Sequence, residues 1–247
     1  MIKVSAIVSV GRDKAICEDA ALVGTQVICD KEFICELEFP SCICIADGVG
    51  GNIGGDMASR YVLNCISGNS PNKLDRKTLT EYIEKINKSL LSFASHQGIV
   101  SQMATTLTGL FMDGDSYWYV QSGNTRMYAM QGKYLKQITK DQTTYQWLME
   151  TGNTEAAIVC NKNEITGCLG GGTEKYSTKL VVDETFKHYL PHTILLTSDG
   201  IHEYVETDIL EKILQSSIED IDIARNIVSK ALDMGSGDDR TVVIIRL

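Results

Sequence analysis

The chain has 247 residues, 43% hydrophobic and 22% charged, the balance of a globular protein with room for one large core. A formal net charge of −9 excludes a general nucleic-acid or polyanion binder, which needs a basic footprint. No apolar stretch reaches bilayer length, and the opening MIKVSAIVSVGRDK has neither the apolar run nor the cleavage site of a secretory leader. The expected location is therefore the cytoplasm, with no membrane contact.

In chain order, residues 2–10 predict a strand rich in Val and Ile, and 42–46 a second one ending at a glycine cluster. Residues 56–66 predict a helix starting just after those glycines. In 76–94, Leu79, Ile83, Ile86, Leu90 and Phe93 recur on one helical face. Residues 104–112 and 116–121 predict a hairpin with Asp113-Gly114 at the turn. A helical stretch at 142–150 leads into 151–176, which is glycine-rich and weakly periodic and reads as a mobile surface flap. A strand at 193–198, helices at 207–216 and 221–233, and a strand at 241–246 complete the pattern. Strands cluster apart from paired helices, so the class is α+β, in a single domain spanning 1–247. Trp118 and Trp147 are expected in or near the core.

The eight cysteines show no matched CxxC pairs, which argues against a structural zinc site. Cys42 and Cys44 stand at strand spacing in an apolar run, where cysteine serves as a small hydrophobe. Reduced thiols are expected.

Three apolar runs meet an acid at a glycine turn: CICIADGVGG, TILLTSDG and GSGDDRTVV. Asp47, Asp199 and Asp238 therefore lie where strands begin or end, held by a rigid scaffold beside loops that leave room for a ligand. Converging carboxylates repel unless a cation neutralises them, and an all-oxygen set suits magnesium or manganese. Gly48 leaves a carbonyl accessible as a further oxygen. Two such ions about 3.5–4 Å apart bring a shared water towards a pKa of about 7, the chemistry of phosphate hydrolysis. Each Asp-Gly pair taken alone also reads as an ordinary turn. A dinucleotide loop at GVGGNIGG fits less well, since no GK[ST] follows and regular βαβ alternation is lacking.

Seven elements in order carry a family resemblance: CEDA (17–20), ADGVGG (46–51), MATTLTGLF (103–111), SGNTRMY (122–128), ITKDQT (138–143), SDGIHEYV (198–205) and GDDRTVVII (237–245). The chain resembles the PPM (PP2C-type) metal-dependent serine/threonine protein phosphatases in their compact bacterial form. The resemblance implies a central β-sandwich of two antiparallel sheets flanked by pairs of α-helices. It implies two Mg²⁺ or Mn²⁺ ions bound by Asp47, the Gly48 carbonyl, Asp199 and Asp238, with Glu18 and Asp19 holding metal-bound waters. A metal-bridging hydroxide would attack phosphoserine or phosphothreonine directly, without a phosphoenzyme. Implied partners are phosphorylated proteins, the substrates of a serine/threonine kinase, met by a monomer.

Four positions depart from the family pattern. Lys14 stands where the phosphate-gripping arginine is expected, with Arg12 two residues away as a substitute. Asn124 replaces an acid of a third metal site, so a third ion should bind weakly or not at all. Cys17 replaces an asparagine. Asn52 replaces the histidine often taken as general acid, leaving His202 as a candidate for that role beside the reading that it is structural. A phosphatase-like regulatory binding module with little turnover and a hydrolase of small phosphoesters are the alternative functions.

Overall fold

The computed structural model describes residues 1–49, 54–67, 70–71, 73–99, 103–172 and 179–247. Gly50, Gly51, Asn52 and the 173–176 end of the expected flap lie outside the described residues. The chain opens with β1 (Ile2–Ser9), β2 (Ala20–Val23), β3 (Gln26–Ile28), β4 (Lys31–Leu37) and β5 (Ser41–Ala46). Two helices follow, α1 (Gly55–Ser67) and α2 (Arg76–Gln97), then β6 (Ala104–Thr105), β7 (Leu107–Met112), β8 (Tyr117–Ser122), β9 (Arg126–Gln131) and β10 (Tyr134–Gln137). Short helices α3 (Thr144–Glu150) and α4 (Thr154–Val159) lead to β11 (Leu169–Gly170), β12 (Val181–Thr185) and β13 (Thr193–Thr197). The last elements are α5 (Asp199–His202), α6 (Thr207–Leu214), α7 (Asp220–Asp233) and β14 (Arg240–Arg246).

Two six-stranded antiparallel sheets, β10-β9-β13-β14-β1-β4 and β12-β8-β7-β5-β2-β3, form the centre, with a small β11-β6 pair beside them. Their strands show why the central runs are apolar at every position. In β5, Ile43 and Ile45 join the cluster between the sheets, while Cys42, Cys44 and Ala46 face the layer of α1 and α2. In β14, Val243 and Ile245 point into the sandwich, and Val242 and Ile244 meet α6 and α7. Alternation puts successive residues on opposite faces, and here both faces are covered. The result is a four-layer helix–sheet–sheet–helix arrangement, as the resemblance implied.

The paired helices, the hairpin and the terminal strands form where the sequence predicts them. Asp113 Oδ1 accepts from the backbone N–H of Asp115 and Ser116, and Gly114 takes φ +100°, so the hairpin turn is made by the expected residues. The strands β2, β3, β4, β9, β10, β11 and β12 escape the sequence reading. Most are short, as in the four residues of β2, or lie on an edge, as β4 does with its charged residues outward; β9, six residues long and between β10 and β13, is neither. The region read as a flap contains α4 and β11, and Leu169 pairs with Thr105. Trp147 is a correction: it is 57% exposed on α3, while Trp118 packs half-buried against the helix-side core. All eight cysteines are free, with Cys17, Cys42 and Cys44 buried. Among the described residues no helix is long and apolar enough to cross a membrane.

Strands β13 and β14 pair antiparallel, so the end of the first lies beside the start of the second. Ser236 Oγ donates to the Gly200 carbonyl at 2.8 Å, and the Thr241 N–H donates to Ser198 Oγ at 2.9 Å, stitching the two turns together. Contact is so close that a Cβ on Gly200 would lie 1.9 Å from the Asp239 carbonyl oxygen. Gly200→Ala should therefore lower stability by about 2 kcal/mol through overpacking. Gly237→Ala, whose Cβ would meet nothing within 4 Å, should stay within about 0.5 kcal/mol of wild type. Urea unfolding at equal m-value reads both.

Candidate metal centre

The main chain of Asp47 is clamped at the end of β5. Its carbonyl accepts from the Thr106 N–H at 2.8 Å and Thr105 Oγ1 at 2.9 Å, and its N–H donates to Thr106 Oγ1 at 3.0 Å. Gly48 donates its N–H to the Glu18 carbonyl at 3.1 Å and runs directly under the start of α1. A Cβ at Gly48 would sit 2.4 Å from the Gly55 backbone, which explains why the carboxylate is followed by a residue without a side chain. Asp199 opens α5 just after β13, and Asp238 stands two residues before β14. Asp47 thus comes from one sheet, and Asp199 and Asp238 come from the other.

These residues line one cavity of about 260 Å³, together with Lys14, Gly48, Val49, Thr106, Asn124 and three residues of the 151–176 region, Asn161, Asn163 and Ile165. Lys14 is the only cationic side chain among the described lining residues. Asp19 is buried beneath, 1% exposed, where its Oδ2 accepts from Thr241 Oγ1 at 2.7 Å and its Oδ1 has no hydrogen-bond partner among the described residues. Glu18 reaches Lys14 Nζ with Oε2 at 3.2 Å.

Crowding sets the electrostatics. Burial pushes the Asp47 carboxyl well above the usual carboxylate range, and the charges of Asp19, Asp199 and Asp238 add to it. Burial and then Asp238 raise Asp199. Asp19 is pushed up to about 7 by burial, with Asp239 and Asp199 contributing. Burial alone would lower the Lys14 ammonium, but Asp238 and Asp239 hold its proton so well that its net shift is upward. A set of oxygen donors this rich in unneutralised charge fits a hard divalent cation. Among the described residues no three acidic, His or Cys side chains form a ready-made cage for an ion; Asp47, Asp199 and Asp238 line a cavity instead.

The structure brings Asp47, Gly48, Asp199, Asp238 and Lys14 to one cavity, with Glu18 and Asp19 against it. Two predicted residues are not there. Arg12 is exposed in a turn rather than on a strand, its N–H donating to the Gly237 carbonyl, and it does not line the cavity. His202 is the second correction: it is 8% exposed, does not line the cavity, and pairs through Nδ1 with Thr197 Oγ1 at 2.9 Å. Burial, with Arg126 nearby, drives its pKa well below the ordinary imidazole value, so near neutral pH it lacks the imidazolium proton a general acid would give. Asn124 points its amide nitrogen at Asp199 Oδ2, 3.1 Å away.

Sequence reading missed Asp239, which is 2% exposed and accepts from the Gly11 N–H at 2.6 Å and the Glu18 N–H at 2.8 Å. Its signal was the acid doublet in GDDR. It also missed Asn161 and Asn163, which no motif marks.

The unfolded chain protonates His202 near pH 6.5 while the folded chain resists, so this residue's contribution to stability is lost as pH falls below about 6.5. The stability difference between wild type and His202→Gln should shrink by up to about 1.4 kcal/mol per pH unit between pH 6.5 and 5. Urea unfolding of both proteins in EDTA across that range checks it.

No protein-family model matches the chain. Curated relatives do. The serine/threonine phosphatase Stp of Listeria monocytogenes is 28% identical over 214 residues, 82% of this chain and 83% of its own. A putative protein phosphatase of Mycoplasma genitalium is 25% identical over 227 residues, 83% of this chain and 84% of its own. Among solved structures, the Mycobacterium tuberculosis serine/threonine phosphatase PstP/Ppp superposes with a TM-score of 0.80 at 24% identity, covering 100% of this chain and 99% of that one. The catalytic domain of PstP in complex with two manganese ions gives a TM-score of 0.75 at 23% identity, covering 100% of this chain and 99% of that one. The sandwich, the order of its motifs and these relatives agree: the chain has the fold of the solved serine/threonine phosphatases and is similar in sequence to curated protein phosphatases.

Proposed function

We propose that this chain is a metal-dependent phosphatase that removes phosphate from phosphoserine and phosphothreonine in proteins. The observation that carries the reading is the meeting of Asp47, Asp199 and Asp238, from two different sheets, around one cavity that also holds a lysine. Asp47, the Gly48 carbonyl, Asp199 and Asp238 would hold two Mg²⁺ or Mn²⁺ ions, while Glu18 and Asp19 would fix coordinated waters. When bound, the ions supply positive charge for the phosphate oxygens and acidify a water at neutral pH.

The chain's own residues do the rest. Lys14 would bind a phosphate oxygen as a point charge, since its ammonium lacks the planar fork of arginine. Thr105 and Thr106 keep the Asp47 backbone from shifting, so its carboxylate meets the substrate already oriented. Neither His202 nor Arg12 takes part. Asn124 donates to Asp199 where a third ion would need an acceptor, which supports a weak or absent third metal. Residues 1–247 form a single catalytic domain in this reading, and Asn161 and Asn163, which line the cavity, would meet the substrate there. The natural substrates would be proteins phosphorylated by a serine/threonine kinase, and the enzyme a monomer. Eight free cysteines favour a reducing compartment, the cytoplasm.

Phosphate release from a phosphothreonine peptide, followed with Mn²⁺, Mg²⁺ or EDTA, tests this. Release should require the metal and fall more than about a hundredfold in Asp199→Asn, whose loss removes a direct ligand. Wild type without turnover at saturating metal would instead leave a phosphate-sensing module. The same substitution removes one charge from a crowded cluster, so in EDTA the variant's melting temperature should equal or exceed that of wild type.

A further inference from the structure

Lys14 is engaged on three sides. Its Nζ lies 2.6 Å from Asp238 Oδ1, 3.2 Å from Glu18 Oε2 and 3.2 Å from Asp239 Oδ2. The backbone holds it there. Asp239 receives the N–H groups of Gly11 and Glu18, and Arg12 donates its N–H to the Gly237 carbonyl, so the 11–18 loop is folded against the turn before β14. The loop packs closely against that turn: a Cβ on Gly11 would lie 2.5 Å from the Gly237 carbonyl oxygen.

Asp238 therefore already carries a cation. A divalent ion on the same carboxylate would face an ammonium within about 5 Å, a repulsion that opposes its binding even in water-like surroundings. One ammonium against three carboxylates still leaves a net charge of −2, so the site attracts a divalent ion while the ammonium opposes it. We propose that Lys14 is a built-in counter-cation: it holds Asp238 in place in the metal-free protein, competes with the divalent ion for that carboxylate, and turns to phosphate only once the ion has displaced it. Metal affinity and phosphate affinity are then coupled through one side chain. The inference rests on the reading of the cavity as a divalent-metal site and adds a positioning role for Lys14.

The test is calorimetric titration of Mn²⁺ into the metal-stripped full chain, for wild type, Lys14→Met and Lys14→Arg. Losing the charge should tighten the weaker Mn²⁺ event about tenfold in Lys14→Met, as expected for removing a unit charge a few ångströms from the ion. Lys14→Arg should bind Mn²⁺ within about threefold of wild type, because the charge is kept. Inorganic phosphate titrated into the Mn²⁺-saturated proteins should bind about tenfold more weakly to Lys14→Met than to wild type or Lys14→Arg. Melting curves in EDTA confirm that the variants are folded.

Equal Mn²⁺ affinity in all three proteins would overturn the counter-cation while leaving the metal centre standing. Weaker Mn²⁺ binding by Lys14→Met would also overturn it, making Lys14 a support for the ion rather than a competitor. Absence of Mn²⁺ binding by wild type would remove the metal centre, and this inference with it.

Discussion

Mutual repulsion among carboxylates is the constraint on which the rest of this structure depends. Asp19, Asp47, Asp199, Asp238, Asp239 and Glu18 crowd one end of a sandwich. Burial of Asp19 and Asp239 withholds the water that would otherwise screen them. Such an assembly costs stability in a protein that has only about 5–15 kcal/mol of it. It persists because both sheets are rigid and because hydrogen bonds fix the backbone beneath each acid, as at Asp47, whose N–H and carbonyl are both occupied by threonines.

The scaffold's share is its two-faced strands. Runs such as CICIA and TVVII bury every side chain because a helix layer covers the face that an ordinary sandwich leaves wet. Four layers give the strand ends a firm base, and the acids project from those ends into a space the layers leave open. Gly48 and Gly200 show how closely the turns pack, each lying where an added carbon would collide with backbone. The site is thus built as much by small residues that permit contact as by acids that bear charge.

Much of this was legible in the sequence. An apolar run that stops at an acid followed by glycine marks both the strand and its end at the cavity; two such runs gave Asp47 and Asp199, and an acid after glycine just before a third run gave Asp238. Helices with a clear stripe, such as the one holding Leu79, Ile83 and Leu90, were equally readable. Edge strands were not: β4 reads KEFICEL because half its residues face water, and such alternation with charge resembles a loop. His202 misled because a titratable residue three positions after Asp199 looks poised for chemistry, and nothing local reveals that α5 turns it into the interior. Arg12 misled because standing two residues from Lys14 does not bring it to the cavity: the chain turns there and leaves it exposed. Asp239 was overlooked because its work is done for the backbone of Gly11 and Glu18, more than 200 residues earlier in the chain.

The division of the acids between the sheets bears on how the molecule assembles. Asp47 belongs to the sheet of β5, and Asp199 and Asp238 to the sheet of β13 and β14, so neither half owns a complete site. A chain in which only one sheet has formed offers a cation two of the three carboxylates at most. An ion held by all three would consequently be captured after the sheets dock and would template neither one. It would then act as a rivet across the sandwich: parting the sheets at that end and releasing the ion would be a single event, and the ion's binding energy would add to the cost of opening there.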